Sequence, residues 1–110
     1  MAVDGDIYVL TKNGSLLRYR SGAKDSFKIK GLEVALNGPL QVYTSVDLQS
    51  LYVLDKGNNR IVVLDKEGNL KTQYLFTQEQ VNLGLRSISV SRDEKYLLVL
   101  AGTKMYKIGL

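Results

Sequence analysis

The sequence predicts an all-β fold built from one antiparallel unit that is copied along the chain, and three observations support this. A short apolar segment occurs three times, at residues 7–10 (IYVL), 51–54 (LYVL) and 96–100 (YLLVL), and the last residues of the three segments are 44 and 46 positions apart. A polar turn and a second apolar run follow each copy. All of these runs are short and rich in Val, Ile, Leu and Tyr, as buried strands are. Such a period is typical of a repeated supersecondary unit.

The first unit is predicted at residues 1–32. It begins with a short strand at 1–3 and continues with strands at 7–10, 16–19 and 26–29. Asn13-Gly14 lies between the second and third of these strands. Asn and Gly reach positive φ at low cost, so this dipeptide favours a tight hairpin.

The second unit is predicted at residues 38–77. Pro39 is the only proline and opens the first strand, a position that tolerates a residue without an N–H group. The following strands are predicted at 51–54, 61–64 and 70–76, and the sequence DKEGN at 65–69 supplies a turn between the last two.

The third unit is predicted at residues 84–110, with a strand near Ser89-Val90 and two further strands at 96–100 and 105–108. The sequence ends in this third strand. No helix is required anywhere in the chain.

Four antiparallel strands in 40–45 residues match the period of a β-propeller blade. The prediction is therefore a single domain, residues 1–110, that forms a partial β-propeller of about two and a half to three four-stranded antiparallel blades. Closed propellers use about four to eight blades. The open strand edges and blade flank should then associate with another chain. We expect a homo-oligomer, with a dimer favoured, or the remaining half of a longer propeller.

Residues 51–68, LYVLDKGNNRIVVLDKEG, resemble the NHL type of β-propeller repeat. That family typically has an apolar run, Asp, a Gly-Asn turn, Arg-Ile, a second apolar run, and a closing Asp with Gly. The matching residues are Asp55, Gly57, Asn58, Arg60, Ile61, Asp65 and Gly68. The other two units depart from this pattern at the turn, where they have neither Asp nor Arg.

The chain as a whole is similar to the C-terminal half of an extracytoplasmic six-bladed propeller in certain bacterial membrane proteins that carry a phosphatase-like N-terminal domain. Residues 3–10, 27–32 and 60–68 carry this resemblance. It implies an extracytoplasmic location for a membrane-anchored parent protein, although composition alone does not determine the compartment. None of these residues forms a phosphatase motif, so the resemblance does not imply that activity.

Composition excludes several kinds of chemistry. The chain has no cysteine and no histidine, which excludes imidazole or thiolate metal sites and the common Ser-His-Asp and Cys-His pairs. Asp4 and Asp6 have a spacing seen in calcium loops, but two carboxylates do not supply the six to eight oxygens that Ca²⁺ takes. We therefore expect no metal, no cofactor and no enzymatic activity. No apolar run is long enough to cross a membrane.

The loop 55–60 is the first candidate binding surface, with Asp55, Asn58, Asn59 and Arg60 as its candidate binding residues. Loops of this kind commonly bind partners in propellers. The favoured alternative is architectural: Asp55 caps the turn, Gly57 adopts positive φ, and Arg60 pairs with a carboxylate of its own unit.

A basic segment between residues 12 and 30 is the second candidate, with six cations against the single anion Asp25. Its candidate anion-binding residues are Arg18, Arg20, Lys24, Lys28 and Lys30. Such a patch would attract RNA, acidic glycans or lipid headgroups. Lysines on outer strands also prevent edge-to-edge pairing, and this interpretation is favoured. Only Tyr19 and Phe27 offer stacking groups in the segment, so nucleic acid is not the expected partner.

The sequence thus favours a non-enzymatic interaction module that recognises protein or glycan and assembles by self-association. Two alternatives stay open, an anion-binding module that uses the basic segment and an inactive half of a propeller hydrolase or lyase. The seven tyrosines do not decide between them, because Tyr8, Tyr52 and Tyr96 recur at equivalent or neighbouring strand positions, which favours packing inside the fold.

Overall fold

The computed structural model of the chain describes residues 2–3, 7–10, 16–20, 23–25, 29–31, 36, 41–44 and 48–110, with only the backbone described at 2–3, 7, 20 and 23–25. These residues form a mostly β structure in which the strands of every sheet are antiparallel, as the sequence predicts. The strands are β1 (Ala2–Val3), β2 (Ile7–Leu10), β3 (Leu16–Arg20), β4 (Ala23–Asp25), β5 (Gln41–Tyr43), β6 (Ser50–Asp55), β7 (Arg60–Asp65), β8 (Leu70–Leu75), β9 (Leu85–Val90), β10 (Tyr96–Ala101) and β11 (Lys104–Gly109).

The described strands form three sheets that follow one another in chain order. The first sheet has the order β1-β2-β3-β4, the second β5-β6-β7-β8, and the third β9-β10-β11. Each strand pairs with the next along the chain, so every sheet is a simple meander. Two of the sheets have four described strands and the third has three.

Several described strands are longer or shorter than predicted, and one lies at different residues. The fourth strand of the first sheet is β4 at Ala23–Asp25, whereas the sequence suggested residues 26–29. Residues 26–28 lie outside the described part of the chain, as do Asn13-Gly14 and Pro39. The predicted turn at 65–69 is described, and Gly68 has φ 95° there.

Two short helices are present where the sequence analysis required none. The helix α1 covers Gln78–Leu83 and links the second sheet to the third. A reciprocal capping box begins it: Thr77 Oγ1 accepts from the Gln80 N–H, and the Gln80 side chain accepts from the Thr77 N–H. This arrangement satisfies two donors at the helix start that would otherwise lack partners, and the sequence TQEQ at 77–80 is its signature. The second is a single 3₁₀ turn at Lys56–Asn58.

The second sheet lies between the other two, and both of its faces are buried. One face contributes Leu51, Val53, Val62 and Leu64 to a cluster that also contains Tyr8 and Leu16 of the first sheet. The opposite face contributes Tyr52, Leu54, Ile61 and Val63 to a cluster with Leu85, Ile88, Leu97 and Val99 of the third sheet. Neighbouring strand residues point to opposite faces, so a sheet covered on both sides needs an uninterrupted apolar run. The segments LYVL and IVVL supply these runs.

Tyr8 and Tyr52 occupy equivalent positions in the repeat and are both buried in these clusters. The prediction that the regularly spaced tyrosines pack inside the fold is confirmed for these two. Tyr96 is half-buried, with the Lys107 ammonium 4.4 Å from the centre of its ring.

A side-chain amide joins the inner edges of the second and third sheets. Gln41 of β5 donates from Nε2 to the Ile88 carbonyl over 3.1 Å and accepts at Oε1 from the Ile88 N–H over 2.9 Å. The carboxamide therefore makes the pair of hydrogen bonds that a peptide group of a neighbouring strand would make. It satisfies the N–H and C=O groups of Ile88 at the edge of β9, so these two groups are not open to pairing with another strand.

Gly102 occupies a tight position in the β10–β11 turn, and we expect its replacement by alanine to destabilise the protein. Its φ is 60°, and a Cβ atom would lie 2.9 Å from the Leu83 carbonyl oxygen. The left-handed conformation and the close contact together should lower the free energy of unfolding by roughly 2 kcal/mol. Urea unfolding of Gly102→Ala measures this. The control is Gly109→Ala, whose Cβ would meet no atom within 4 Å. Equal stabilities of the two variants would contradict the expectation.

Among the described residues, no helix combines the length and the apolar character that a membrane span requires.

Candidate functional site

The loop 55–60 is organised around an ion pair inside the fold. Arg60 donates from Nε to Asp55 Oδ2 over 2.8 Å, and the two residues are 4% and 0% exposed. Asn58 Nδ2 donates to the same Asp55 oxygen over 2.9 Å. Arg60 Nη1 also donates to Gln73 Oε1 of β8 over 2.7 Å. Because Asp55 ends β6 and Arg60 begins β7, the pair closes the hairpin from within.

This geometry supports the architectural interpretation of the loop for Asp55 and Arg60. Arg60 pairs with a carboxylate of its own sheet, as expected. The expected positive φ lies at Asn59, with φ 53°, and Gly57 is instead part of the 3₁₀ turn. Asn tolerates this conformation because its short polar side chain bonds locally. Asp55 also differs from the expectation, since its side chain makes no capping hydrogen bond to the backbone of the turn.

The surface of this loop is formed by Lys56, Gly57 and Asn59, which are exposed, and by Asn58, which is half-buried. The candidates Asn58 and Asn59 are therefore accessible, whereas Asp55 and Arg60 are not. The proposal that this surface binds a partner stays a prediction.

The basic segment is described only in part. Arg18 on β3 is 5% exposed, and its Nη1 donates over 2.9 Å to the Lys66 carbonyl, in the turn that joins β7 to β8 of the second sheet. Its guanidinium thus joins the first two sheets. Arg20 and Lys24 lie on β3 and β4, whose backbone alone is described there, and Lys28 lies outside the described residues. Lys30 is exposed beside Asn69. The anion-binding patch stays a prediction.

A polar cleft that the sequence analysis did not identify lies where the second and third sheets meet. It has a volume of about 390 Å³. The second sheet provides its floor, and the turn between β9 and β10 provides one wall. Its lining residues are Gln49, Ser50, Tyr52, Val63, Lys71, Thr72, Tyr74, Asp93, Glu94 and Leu110.

Glu94 fixes this wall to the floor. Its carboxylate accepts from the Gln49 N–H and, over 2.8 Å, from the Tyr52 hydroxyl. Burial and the neighbouring Glu94 carboxylate raise the pKa of Tyr52 above its ordinary value, so the hydroxyl stays protonated and continues to donate. Glu94 itself has φ 56°, a conformation uncommon for this residue type. The strain is offset by the two hydrogen bonds across the sheet junction.

The cleft carries charges of both signs. Lys71 Nζ donates to the Ser50 hydroxyl over 2.7 Å on one side. Asp93 lies on the other side and accepts from the Ser91 hydroxyl over 2.7 Å, and this hydrogen bond lowers the pKa of the Asp93 carboxyl. The side chains of Lys71, Asp93 and Glu94 therefore line the same space. No group of three or more acidic side chains within the described ranges is arranged to hold a metal ion.

The outer faces of the first and third sheets form a second kind of candidate surface. We call the side of a sheet that packs on the next sheet along the chain its forward face, and the side that packs on the preceding sheet its backward face. The forward face of the third sheet and the backward face of the first sheet are the sides opposite to those that pack on the second sheet. Leu98 and Leu100 of β10 lie on the forward face of the third sheet beside Met105 of β11, which is 60% exposed. Val9, Leu17 and Tyr19 lie on the backward face of the first sheet, and all three are half-buried.

Sequence reasoning could not locate the cleft, because its residues come from five separate segments that are adjacent only after the sheets pack. The one local signal is the sequence SRDEK at 91–95, a polar turn between apolar strands. The outer faces were expected in outline, from the open flanks that a partial propeller would leave.

Comparison of the chain with known protein families, with characterised proteins and with solved structures finds no match in any of the three.

Proposed function

We propose that this chain is a non-enzymatic interaction module, a partial β-propeller of about two and a half to three blades that assembles with a further copy of itself. The observation that supports the proposal most strongly is the constant orientation of the repeated strand in all three sheets. The same positions face forward, and the same positions face backward, in each copy.

Tyr8 of the first copy faces forward and meets Leu51 and Val53, which face backward in the second copy. Tyr52 and Leu54 face forward in the second copy and meet Leu97 and Val99 of the third. One forward-to-backward interface is therefore used twice inside the molecule. Leu98 and Leu100 are the forward positions of the third copy, and no described sheet of this chain covers them.

The complementary surface is the backward face of the first sheet, with Val9, Leu17 and Tyr19. These three described side chains are aliphatic or aromatic, and the face corresponds to the one that Leu51 and Val53 present inside the molecule. A second copy can then add its first sheet to the third sheet of its neighbour by the packing already used internally. Because the two faces differ, the contact is heterologous and generates a ring or an open chain of subunits. Two copies would provide about six blades, within the usual range for a closed propeller.

Light scattering after size-exclusion chromatography tests this proposal. We expect the average mass to rise with concentration above the 12.3 kDa of a single chain. Leu98→Lys places a charge on the forward face and should return the mass to that of one chain, because a buried unpaired charge is costly. Asn82→Lys on the exposed side of α1 is the matched control and should not change the mass. A wild-type chain that stays at 12.3 kDa at every concentration would disprove self-association.

A further inference from the structure

We infer that the cleft between the second and third sheets binds a neutral polyhydroxylated ligand, such as a sugar unit of a glycan. The inference concerns a different surface from the forward and backward faces, and it holds whether the chain is a monomer or an oligomer.

The floor of the cleft is built from residues with fixed positions. Ser50 and Tyr52 are 1% and 3% exposed, and Val63 is 4% exposed. The Gln49 N–H donates a hydrogen bond to Glu94 on one side of the cleft. The Ser50 hydroxyl accepts one from Lys71 on the other side. A site whose hydrogen-bonding groups are already positioned loses less conformational freedom when a ligand enters.

The charges of the cleft argue against an ionic ligand. An anion attracted to the Lys71 ammonium would also lie near the Asp93 and Glu94 carboxylates, and a cation attracted to those carboxylates would lie near Lys71. A neutral ligand avoids both repulsions. The volume of about 390 Å³ is within the range of small-molecule sites.

The chemistry of the lining favours hydroxyl groups on that ligand. A hydroxyl donates one hydrogen bond and accepts others, so it satisfies both the carboxylates and the ammonium. Thr72 and the Gln49 side chain add further groups of both kinds. Val63 and the half-buried Tyr74 ring supply apolar surface. A sugar ring has this same combination, with a polar rim and apolar C–H faces, and aromatic residues pack well against such faces.

Two-dimensional ¹⁵N–¹H NMR titrations of the full chain test the inference, with cellobiose, maltose and N,N′-diacetylchitobiose as probes. Inorganic phosphate and spermidine serve as anionic and cationic comparison probes. We expect at least one disaccharide to shift the amide signals of residues 49–52, 71–74 and 93–94 in a saturable manner. Phosphate and spermidine should not produce that pattern.

Lys71→Met removes the ammonium and keeps most of the side-chain length, and it should weaken the binding of that disaccharide about tenfold, which corresponds to 1.4 kcal/mol. Lys71 is exposed, so the variant should fold. Lys104→Met, at an exposed lysine that pairs with Glu79, is the control and should bind as the wild type does.

Three results would overturn the inference: no saturable shift with any of the three disaccharides, saturable shifts that exclude the cleft residues, or stronger binding of phosphate or spermidine in the cleft. None of these results would change the mass measured by light scattering, so this inference and the proposed self-association fail independently.

Discussion

Replacing Arg60 by alanine should lower the free energy of unfolding by about 3–5 kcal/mol, because the variant leaves a buried charge without its partner. Asp55 is fully buried, and its Oδ2 atom lies 2.8 Å from Arg60 Nε. The same variant removes the hydrogen bond from Arg60 Nη1 to Gln73, which joins β7 to β8. Urea unfolding followed by circular dichroism measures the effect.

A double variant separates the value of the ion pair from the cost of an unpaired charge. Asp55→Leu with Arg60→Met replaces both partners by apolar side chains, and such replacements of buried pairs are often close to neutral. We expect it to be more stable than Arg60→Ala alone. Lys56→Ala, in the exposed part of the same loop, is the control and should change stability by less than about 0.5 kcal/mol. If Arg60→Ala were as mild as Lys56→Ala, the pair would not support the hairpin as described.

The ion pair also explains why the sequence pattern of this loop is a weak indicator of function. Asp55 and Arg60 lie at opposite ends of a tight connection, and their pairing stabilises that connection whether or not a partner binds. Any recognition by the loop must use Lys56, Asn58 and Asn59, whose side chains reach its surface. A motif of this kind therefore predicts the structure of the hairpin, but it does not by itself predict that the loop binds a partner.

Much of the fold could be predicted because it depends on local patterns. The runs LYVL and IVVL at 51–54 and 61–64 are short and apolar, and this indicated buried strands. Turn residues at 65–69 fixed where the chain reverses. The helix α1 was missed although its capping signature is present at 77–80, because six residues are too few for a helical period to be visible between two strands.

The parts that could not be predicted depend on contacts between sheets. The burial of Arg18 follows from its hydrogen bond to the Lys66 carbonyl, 48 positions away in the sequence. The approach of Glu94 to Tyr52 likewise spans 42 positions. Neither contact leaves a pattern in the residues around it. For the same reason, the charge of the basic segment could be counted from the sequence, but the sequence could not show which of its cationic side chains are exposed to solvent.

The two neighbouring leucines of β10 provide the sharpest test of how the sheets are arranged, because they are chemically identical and lie on opposite faces. Leu97 is 0% exposed in the cluster that joins the second and third sheets. Leu97→Ala should therefore leave a cavity and lower the free energy of unfolding by about 2–5 kcal/mol. Leu98 lies on the open forward face, so Leu98→Ala should cost less than about 1 kcal/mol in the single chain.

The comparison must be made at low protein concentration, because association stabilises the folded state by mass action. Under that condition the free energies of unfolding of the two variants, measured with urea, should differ by more than about 1 kcal/mol. At high concentration, light scattering should show a lower average mass for Leu98→Ala than for the wild type, because the substitution removes apolar area from the proposed interface. Equal destabilisation by the two substitutions at low concentration would mean that both faces of the third sheet are buried within one chain. The third sheet would then have no open forward face, and the proposed route of assembly would be lost with it.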